Sequence, residues 1–179
     1  DGTTLGMSLS SLVINPSVRS NLPYDTLRDL VGVSITAISP NVITATPSLE
    51  ASTMAELIAL AKKSPGKLSF ATAGTGSGLH MAAELLKMTA GIDMVHVPYK
   101  GSGPGYPDVI AGRVEYYFCP ITAALAQVKS GKVNALAVST PKRSAMLPDV
   151  PTTNEAGFPK ADYVLGVGMW LPAKTPQPV

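Results

Sequence analysis

The residues best placed to do chemistry in this sequence form a run of small side chains: Ala73, Gly74, Thr75, Gly76, Ser77 and Gly78. Glycine allows positive φ angles and a close approach of the backbone to a ligand. The threonine and serine hydroxyls can donate hydrogen bonds to a carboxylate or a phosphate. A helical pattern follows at once, and the start of a helix carries unpaired N–H groups and the positive end of the helix dipole. The run therefore predicts a binding site for an anion.

Two elements must hold the glycine turn (residues 73–77) in place. Residues 69–71 predict a short buried strand before it. After it, the i, i+3, i+4, i+7 spacing of an apolar helix face falls on Leu79, Ala82, Ala83 and Leu86. The same pattern also fits a plain strand-to-helix turn, whose glycines only allow the two elements to pack. The sequence leaves that alternative open.

Enzyme motifs with glycine-rich or serine-containing turns do not match this one. The run lacks the Gly-Lys-Ser/Thr ending of a phosphate-binding loop, and its glycines alternate instead of following a GxGxxG spacing. Ser77 and His80 are three residues apart and could pair as nucleophile and base. No orienting acid stands at a suitable spacing, however, and a GxSxG elbow is absent. An α/β enzyme acting on an anionic substrate is therefore the weaker interpretation.

Other polar and aromatic residues each have two interpretations. His80 could donate a hydrogen bond to an anion, or tie the helix start to a neighbouring loop. His96 lies within a predicted strand, which favours a structural role. Lys100 follows that strand and could add positive potential or be solvated. Trp170, the single tryptophan, could wall a cleft or belong to the core.

The composition argues against several classes of protein. The chain has 179 residues, which suits one ordinary domain or two small lobes. A net charge of +2 without a block of like charges argues against a nucleic-acid partner. No apolar run reaches the ~18 residues of a membrane-spanning helix. The single Cys119 excludes an intramolecular disulfide, gives no metal-ligand spacing and predicts a small buried apolar residue. We therefore expect no metal and no cofactor.

Strand and helix patterns alternate through the middle of the chain. Residues 30–38 and 42–46 predict two strands, with a break at residues 39–41. A capping box at Thr53 predicts the start of a helix, and strands alternate with helices from Lys67 onward. This order predicts a mostly parallel sheet with helices on both faces.

The carboxyl ends of such strands meet at one edge of the sheet, which is where open α/β sheets bind ligands. The loops predicted at that edge are residues 73–77, 99–104, 119–122 and 139–143.

Weaker signals mark the remaining parts of the chain. Residues 3–10 predict a strand that runs into a polar loop, and Asn15-Pro16 signals a turn. Pro120 fits the first position of a helix. A second capping box at residues 152–155 predicts a short helix that ends at Gly157, and residues 164–171 predict a strand.

Phrases along essentially the whole chain follow the order of one known family. They are Leu22-Pro23-Tyr24-Asp25, Ser64-Pro65-Gly66-Lys67-Leu68, Ala71-Thr72-Ala73-Gly74-Thr75-Gly76-Ser77 followed by His80, His96-Val97-Pro98-Tyr99-Lys100-Gly101, Ala135-Leu136-Ala137-Val138-Ser139, Leu147-Pro148-Asp149-Val150-Pro151-Thr152 and Glu155-Ala156-Gly157. In these phrases the sequence resembles the substrate-binding proteins of tripartite tricarboxylate transporters, also called Bug proteins.

The resemblance implies a fold of the α/β class, similar to type II periplasmic binding proteins, with two Rossmann-like lobes and a ligand cleft between them. Residues 1–46 plus 141–179 would form lobe one, and residues 47–140 lobe two. The chain starts at Asp1-Gly2-Thr3-Thr4 and stops at Pro176-Gln177-Pro178-Val179. We expect a fragment that lacks the family's signal or lipobox, its N-terminal strand, the proline- and glycine-rich loop after that strand, and its C-terminal helix.

The resemblance also implies a function. Family members are periplasmic, bind small mono-, di- or tricarboxylates and deliver them to a membrane permease with a large and a small integral subunit. Some serve sensing rather than transport, and that alternative stays open. No catalysis is implied, and we expect a monomer.

Site residues carried over from the family pattern fall in three places. From lobe two, Ala73, Gly74, Thr75, Gly76 and Ser77 would surround a carboxylate, with His80 one helical turn further on. Tyr99, Lys100 and Gly101 would form a second loop, and Ser10 and Ser11 would face the cleft from lobe one. The family has a Pro-Ala pair in the second loop where this sequence has Gly105-Tyr106, so Tyr106 would narrow that side or face solvent.

Overall fold

A computed structural model of the protein describes residues 4–176. The helices are Ser11–Val18 (α1), Thr26–Asp29 (α2), Met54–Lys63 (α3), Gly78–Ala90 (α4), Tyr106–Ile110 (α5) and Ile121–Lys129 (α6). The strands are Gly6–Leu9 (β1), Leu30–Ala45 (β2), Ser69–Thr72 (β3), Val95–Pro98 (β4), Tyr116–Pro120 (β5), Asn134–Val138 (β6) and Val164–Pro172 (β7). Thr3, where the first predicted strand begins, lies outside the described residues, as do Asp1, Gly2, Gln177, Pro178 and Val179.

The two strands predicted at residues 30–38 and 42–46 are one continuous strand, so the predicted break is wrong. Pro40 is the last residue of β2 that pairs with β7, and Asn41 is the first that pairs with β5. The N–H that proline lacks therefore falls at the boundary between two hydrogen-bonded ladders, where it interrupts neither of them.

The prediction of a mostly parallel sheet is also wrong. β3 pairs in parallel with β4 and β5. β2 pairs antiparallel with β5, β6 and β7, and β1 pairs antiparallel with β7. The physical reason is the length of β2. Its second half continues in the direction of its first half, without a helical crossover that would turn the chain, and so runs antiparallel to β5 and β6.

The predicted meeting of four loops at one sheet edge is confirmed. β3, β4 and β5 run in the same direction, and β6 joins them because both β5 and β6 are antiparallel to β2. Helices also cover both faces, as expected. One core cluster contains α3 and α4 side chains such as Leu57 and Leu86, and the other contains α5 and α6 side chains such as Val109 and Ile121.

The polar loop predicted after the first strand is a helix, α1, with Pro16 inside it. A proline removes the hydrogen bond to the carbonyl four residues earlier, which here belongs to Leu12. The hydroxyl of Thr26 donates to that Leu12 carbonyl over 3.2 Å. The helix is therefore tolerated through a tertiary contact that local sequence signals do not reveal.

The two predicted capping boxes have different outcomes. At Thr53 both reciprocal hydrogen bonds with Glu56 are present and α3 follows, as predicted. Thr152 and Glu155 make the same pair of bonds, but a turn follows instead of a helix. Residues 153–157 are too few to propagate a helix before Gly157 takes a φ of +93°.

The start of α6 is shifted by one position from the prediction. Pro120 ends β5 and caps α6 from outside with extended dihedral angles, instead of occupying its first helical position. Its missing N–H would have had no partner within the helix at either position.

Tyr116 and Tyr117 form a matched pair for a stability test, because both are fully buried on adjacent positions of β5. The Tyr117 hydroxyl donates to the Ser102 carbonyl over 2.8 Å, whereas the Tyr116 hydroxyl has no partner within residues 4–176. We expect Tyr116→Phe to raise the free energy of unfolding by about 1 kcal/mol and Tyr117→Phe to lower it by about 1 kcal/mol. Urea unfolding measures both, and equal losses in the two variants would contradict the prediction.

Candidate functional site

The glycine turn connects β3 to α4 and depends on two glycines with positive φ. Gly74 has φ +132° and Gly76 has φ +75°. A Cβ atom on Gly74 would lie 3.2 Å from the carbonyl oxygen of Tyr99. The turn can therefore approach the neighbouring loop this closely because position 74 carries no side chain.

Ser77 is the N-cap of α4. Its hydroxyl accepts a hydrogen bond from the His80 N–H over 3.2 Å and donates to the Gly74 carbonyl over 2.7 Å. The Ser77 N–H donates to the same carbonyl over 3.2 Å. Ser77 therefore closes the turn on itself and satisfies one of the donors at the helix start.

Other donors at this helix start have no partner. Within residues 4–176, no hydrogen bond uses the N–H of Thr75, Gly78 or Leu79. Thr75 is exposed, and its hydroxyl likewise makes no hydrogen bond to the described residues. Several N–H groups and one hydroxyl at the positive end of the α4 dipole thus lack a partner among the described residues, as at helix starts that bind anions. Thr75 is exposed, whereas Gly78 and Leu79 are buried.

The second predicted loop lies directly against the glycine turn. The Tyr99 N–H donates to the Thr72 carbonyl over 3.0 Å, and the Gly101 N–H donates to the Ala73 carbonyl over 3.1 Å. Gly101 has φ +100°, and the Lys100 side chain between them is exposed. The sheet edge therefore brings the two predicted loops together through main-chain bonds.

The Tyr99 side chain is hydrogen-bonded to α5 and not to the glycine turn. Its hydroxyl donates to Asp108 Oδ2 over 2.5 Å, and Asp108 also pairs with Arg113. Burial, followed by the bond to Asp108, raises the pKa of Tyr99 to about 12. This hydroxyl therefore anchors the second loop to α5, and the loop faces the glycine turn with its backbone. Tyr106 is buried, so the side chain predicted either to narrow the site or to face solvent is part of the core.

Two imidazole rings brace the glycine turn from α4 and β4. His80 and His96 are stacked, with ring centroids 3.9 Å apart and an interplanar angle of 13°. The Gly76 N–H donates to His80 Nδ1 over 3.3 Å, and His96 Nε2 lies 2.6 Å from the Thr72 hydroxyl. Of the two roles considered for His80, the structure supports the tie to the turn.

Ser10 and Ser11 have different surroundings. Ser10 directly precedes α1 without making a side-chain capping bond, and it lines a cavity of about 500 Å³ together with Met81 of α4, Tyr163 and Trp170. Ser11 is the first residue of α1 and does not line that cavity. Trp170 therefore walls a crevice between α4 and the β1–β7 region, which was one of the two interpretations of this residue.

A cluster that the sequence did not indicate supports the same edge of the sheet. The carbonyl oxygen of Tyr163 accepts hydrogen bonds from Asn41 Nδ2 over 3.2 Å and from the Ser139 hydroxyl over 2.5 Å. The Tyr163 hydroxyl packs against Gly78, where any Cβ atom would collide with it. The sequence offered one signal for this cluster, which is Asn41, an asparagine within an apolar strand. Tyr163 itself lies in a stretch without the period of a strand or a helix.

The single cysteine of the chain is buried. Burial raises the pKa of the Cys119 thiol to about 12, so the thiolate is suppressed. Cys119 is fully buried, as predicted. Within residues 4–176 no cluster of three or more His, Cys, Asp or Glu side chains could hold a metal ion.

Comparison with known families decides what kind of protein this is. The family model described as tripartite tricarboxylate transporter family receptor matches residues 1–179. The chain belongs to this family. It is 38% identical to protein BugT of Bordetella pertussis over 162 residues, which cover 89% of this chain and 50% of BugT. The chain spans about half the length of the curated relatives it matches.

Solved structures give the same result for the fold. The R. palustris protein Rpa4515, solved with adipate, matches this chain with a TM-score of 0.91 and 32% identity, over 99% of this chain and 60% of that one. The periplasmic binding protein BugD matches with a TM-score of 0.89 and 30% identity, over 99% and 60%. MatC from Rhodopseudomonas palustris, solved with malate, matches with a TM-score of 0.86 and 27% identity, over 99% and 61%.

These matches establish the fold and the family of the chain. Its fold is the mixed α/β fold of periplasmic binding proteins, and its family includes Bug proteins. Its structural neighbours include one protein solved with adipate and one solved with malate. In the described part of the chain, no helix is both long enough and apolar enough to cross a membrane.

Proposed function

We propose that this chain is part of a periplasmic solute-binding protein that captures a small carboxylate and passes it to the permease subunits of its transporter. The observation that carries the proposal is the group of unpartnered donors at the start of α4. In this proposal the N–H groups of Thr75, Gly78 and Leu79 and the Thr75 hydroxyl donate to one carboxylate. Family membership and the adipate and malate of the neighbouring structures support this ligand class.

The energetics favour an anion over a neutral ligand. A hydrogen bond to a charged group contributes ~1.5–3 kcal/mol net, so three or four such bonds outweigh the desolvation of one carboxylate. The α4 dipole adds a favourable interaction with negative charge at its N-terminus. Binding by main-chain donors needs no covalent step, in keeping with a protein that is not an enzyme.

The rest of the ligand would be enclosed by closure of two lobes. We propose lobe one at residues 1–46 plus 141–179 and lobe two at residues 47–140, in a monomeric protein. β2 changes partner between Pro40 and Asn41, which supports a boundary near this position, with residues 41–45 paired to β5 and β6 of the proposed lobe two. The apolar cavity lined by Ser10, Met81 and Trp170 lies between α4 and the β1–β7 region, where the hydrocarbon part of a carboxylate would be shielded from water.

Isothermal titration calorimetry with adipate, malate and citrate tests the proposal. Adipamide, which has the carbon skeleton of adipate without its charge, is the matched control. Binding of a carboxylate together with no binding of adipamide is the expected result. No heat of binding with any of the three acids, under conditions where the protein is folded, would contradict the function.

Thr75 provides the first variant to test, because its hydroxyl is exposed and makes no hydrogen bond within residues 4–176. We expect Thr75→Val to weaken carboxylate binding about tenfold, which corresponds to loss of one hydrogen bond to a charged group. Thr75→Ser keeps the hydroxyl and is the control. Unchanged affinity in Thr75→Val would contradict the assignment of the Thr75 hydroxyl.

Ser77→Ala is expected to weaken carboxylate binding to a similar extent. It should also lower the free energy of unfolding by ~1 kcal/mol, because it removes the α4 cap.

A further inference from the structure

We propose that His80 is a positioning residue that clamps the glycine turn while its ring is neutral and releases the turn when the ring is protonated, with His96 as the stacked partner that holds it in place. The inference rests on the proposed function, because the clamped turn is the proposed carboxylate site. It adds a dependence on pH that the site alone does not imply.

The clamp is a single hydrogen bond from the main chain to a ring nitrogen. The Gly76 N–H donates to His80 Nδ1 over 3.3 Å. Nδ1 can accept that bond only when it carries no proton, which places the proton of the neutral ring on Nε2. A second proton would turn Nδ1 into a donor facing another donor, so the bond to Gly76 would be lost.

His96 fixes the plane in which His80 makes this bond. The two rings are stacked 3.9 Å apart, and His96 packs on its other side against Phe70, with ring centroids 4.9 Å apart. His96 Nε2 is held by the Thr72 hydroxyl, which also accepts from the Gly74 N–H over 3.3 Å. The pair therefore contacts the turn at both ends, through Gly74 and Gly76.

The charges around His80 come from two elements. On α4, Glu84 Oε1 lies 3.7 Å from His80 Nε2, and Lys87 pairs with Glu84 over 3.1 Å. On β4, His96 stacks against the ring. The other elements near the pair and its turn present neutral groups: Phe70 and Thr72 on β3, the buried Tyr116 on β5 and Val18 of α1.

The pKa of each ring is shifted in the direction that keeps the clamp closed near neutral pH. Burial lowers the pKa of His80, with Glu84 opposing this effect and Lys87 adding to it. Burial and then the neighbouring His80 lower the pKa of His96 to about 4. A group whose pKa is depressed on folding stabilises the fold fully above its unfolded value of about 6.5 and loses that contribution as the pH falls. The clamp is therefore expected to open on acidification.

Affinity for adipate, measured by calorimetry at several pH values from about 7.5 down to about 4, which extends well below the ordinary histidine pKa of about 6.5, tests the clamp. His80→Ala removes the acceptor, and we expect a three- to tenfold loss of affinity at the upper pH. His80→Asn places a non-titrating oxygen near the position of Nδ1, so it should recover most of that affinity. The wild type should lose affinity on acidification more steeply than His80→Asn, whose profile reports only the protonation of adipate itself.

Superimposable pH profiles for the wild type and His80→Asn would overturn the inference, as would full affinity in His80→Ala. A second measurement needs no ligand: the amide resonance of Gly76 in NMR spectra should shift with the titration of the His80 ring. A Gly76 amide resonance whose chemical shift does not change as the His80 ring titrates would also overturn the clamp. If the resonance follows the ring but no carboxylate binds, the clamp stands and the proposed function fails. If adipate binds while the Gly76 resonance stays constant, the function stands and the clamp fails.

Discussion

Replacing Gly74 with valine is expected to weaken carboxylate binding about 100-fold, because a φ of +132° is accessible to glycine and strained by ~1–3 kcal/mol for other residues. The added Cβ would also lie 3.2 Å from the Tyr99 carbonyl, closer than a side chain normally packs. Either the turn rotates to relieve the strain or the second loop moves away. In both cases the N–H groups at the start of α4 are displaced from the positions proposed to bind the carboxylate. Calorimetry with adipate measures the loss.

Gly103 supplies the matched control in the adjacent loop. A Cβ atom there meets no heavy atom within 4 Å, and the φ of Gly103 does not lie in the positive region. Gly103→Val should therefore bind adipate as the wild type does. Equal affinities for Gly74→Val and the wild type would show that the backbone of the glycine turn does not form the binding site.

Truncating Phe70 is expected to produce the largest loss of stability. Its side chain is fully buried in β3, between the rings of His96 and Tyr116 at centroid distances of 4.9 and 5.3 Å. Phe→Ala changes in a core cost about 3–5 kcal/mol, and a whole domain has only ~5–15 kcal/mol of stability. Phe70→Ala should therefore lower the free energy of unfolding, measured in urea, by about 4 kcal/mol.

Two further variants bracket that result. Met88 is 80% exposed on α4, so Met88→Ala should change stability by less than about 0.5 kcal/mol. Phe70→Leu retains most of the buried apolar surface. Its loss of stability should lie between the losses for Phe70→Ala and Met88→Ala. A cost for Phe70→Ala no greater than that for Met88→Ala would contradict the packing described for β3.

Much of the fold near the site could be predicted because its signals are local. The capping box at Thr53, the apolar face of α4 and the left-handed Gly91 that ends this helix depend on residues a few positions apart. The meeting of four loops at one sheet edge also followed from the alternation of strands and helices. The cap and the helix face depend on interactions that the chain makes with its own neighbours in sequence.

The errors have a common cause in long-range pairing. Whether the chain breaks at Pro40 depends on where β7 and β5 stop pairing with β2, and these strands lie more than 70 residues away. The helix α1 depends on the Thr26 hydroxyl to satisfy Leu12. Local propensity disfavours both arrangements, and tertiary hydrogen bonds stabilise them.

For the candidate site, the sequence indicated the two loops but not their internal connections. Thr75 and Ser77 were singled out together, yet the Ser77 hydroxyl bonds within the turn and the Thr75 hydroxyl has no partner among the described residues. Tyr99 was predicted at the site, and its side chain is held by Asp108. Which atoms of a residue face a ligand depends on side-chain directions that spacing along the chain does not encode.

The sequence by itself determined that residues 73–77 form a turn of small residues at the start of a helix, because glycine conformations, caps and apolar periodicity are local properties of the chain. Only the tertiary structure decided which donors of that turn stay free and that His80 and His96 brace it. These features arise where β3, β4 and α4 pack together, and the free energy of such contacts depends on distances between residues that are far apart in the chain.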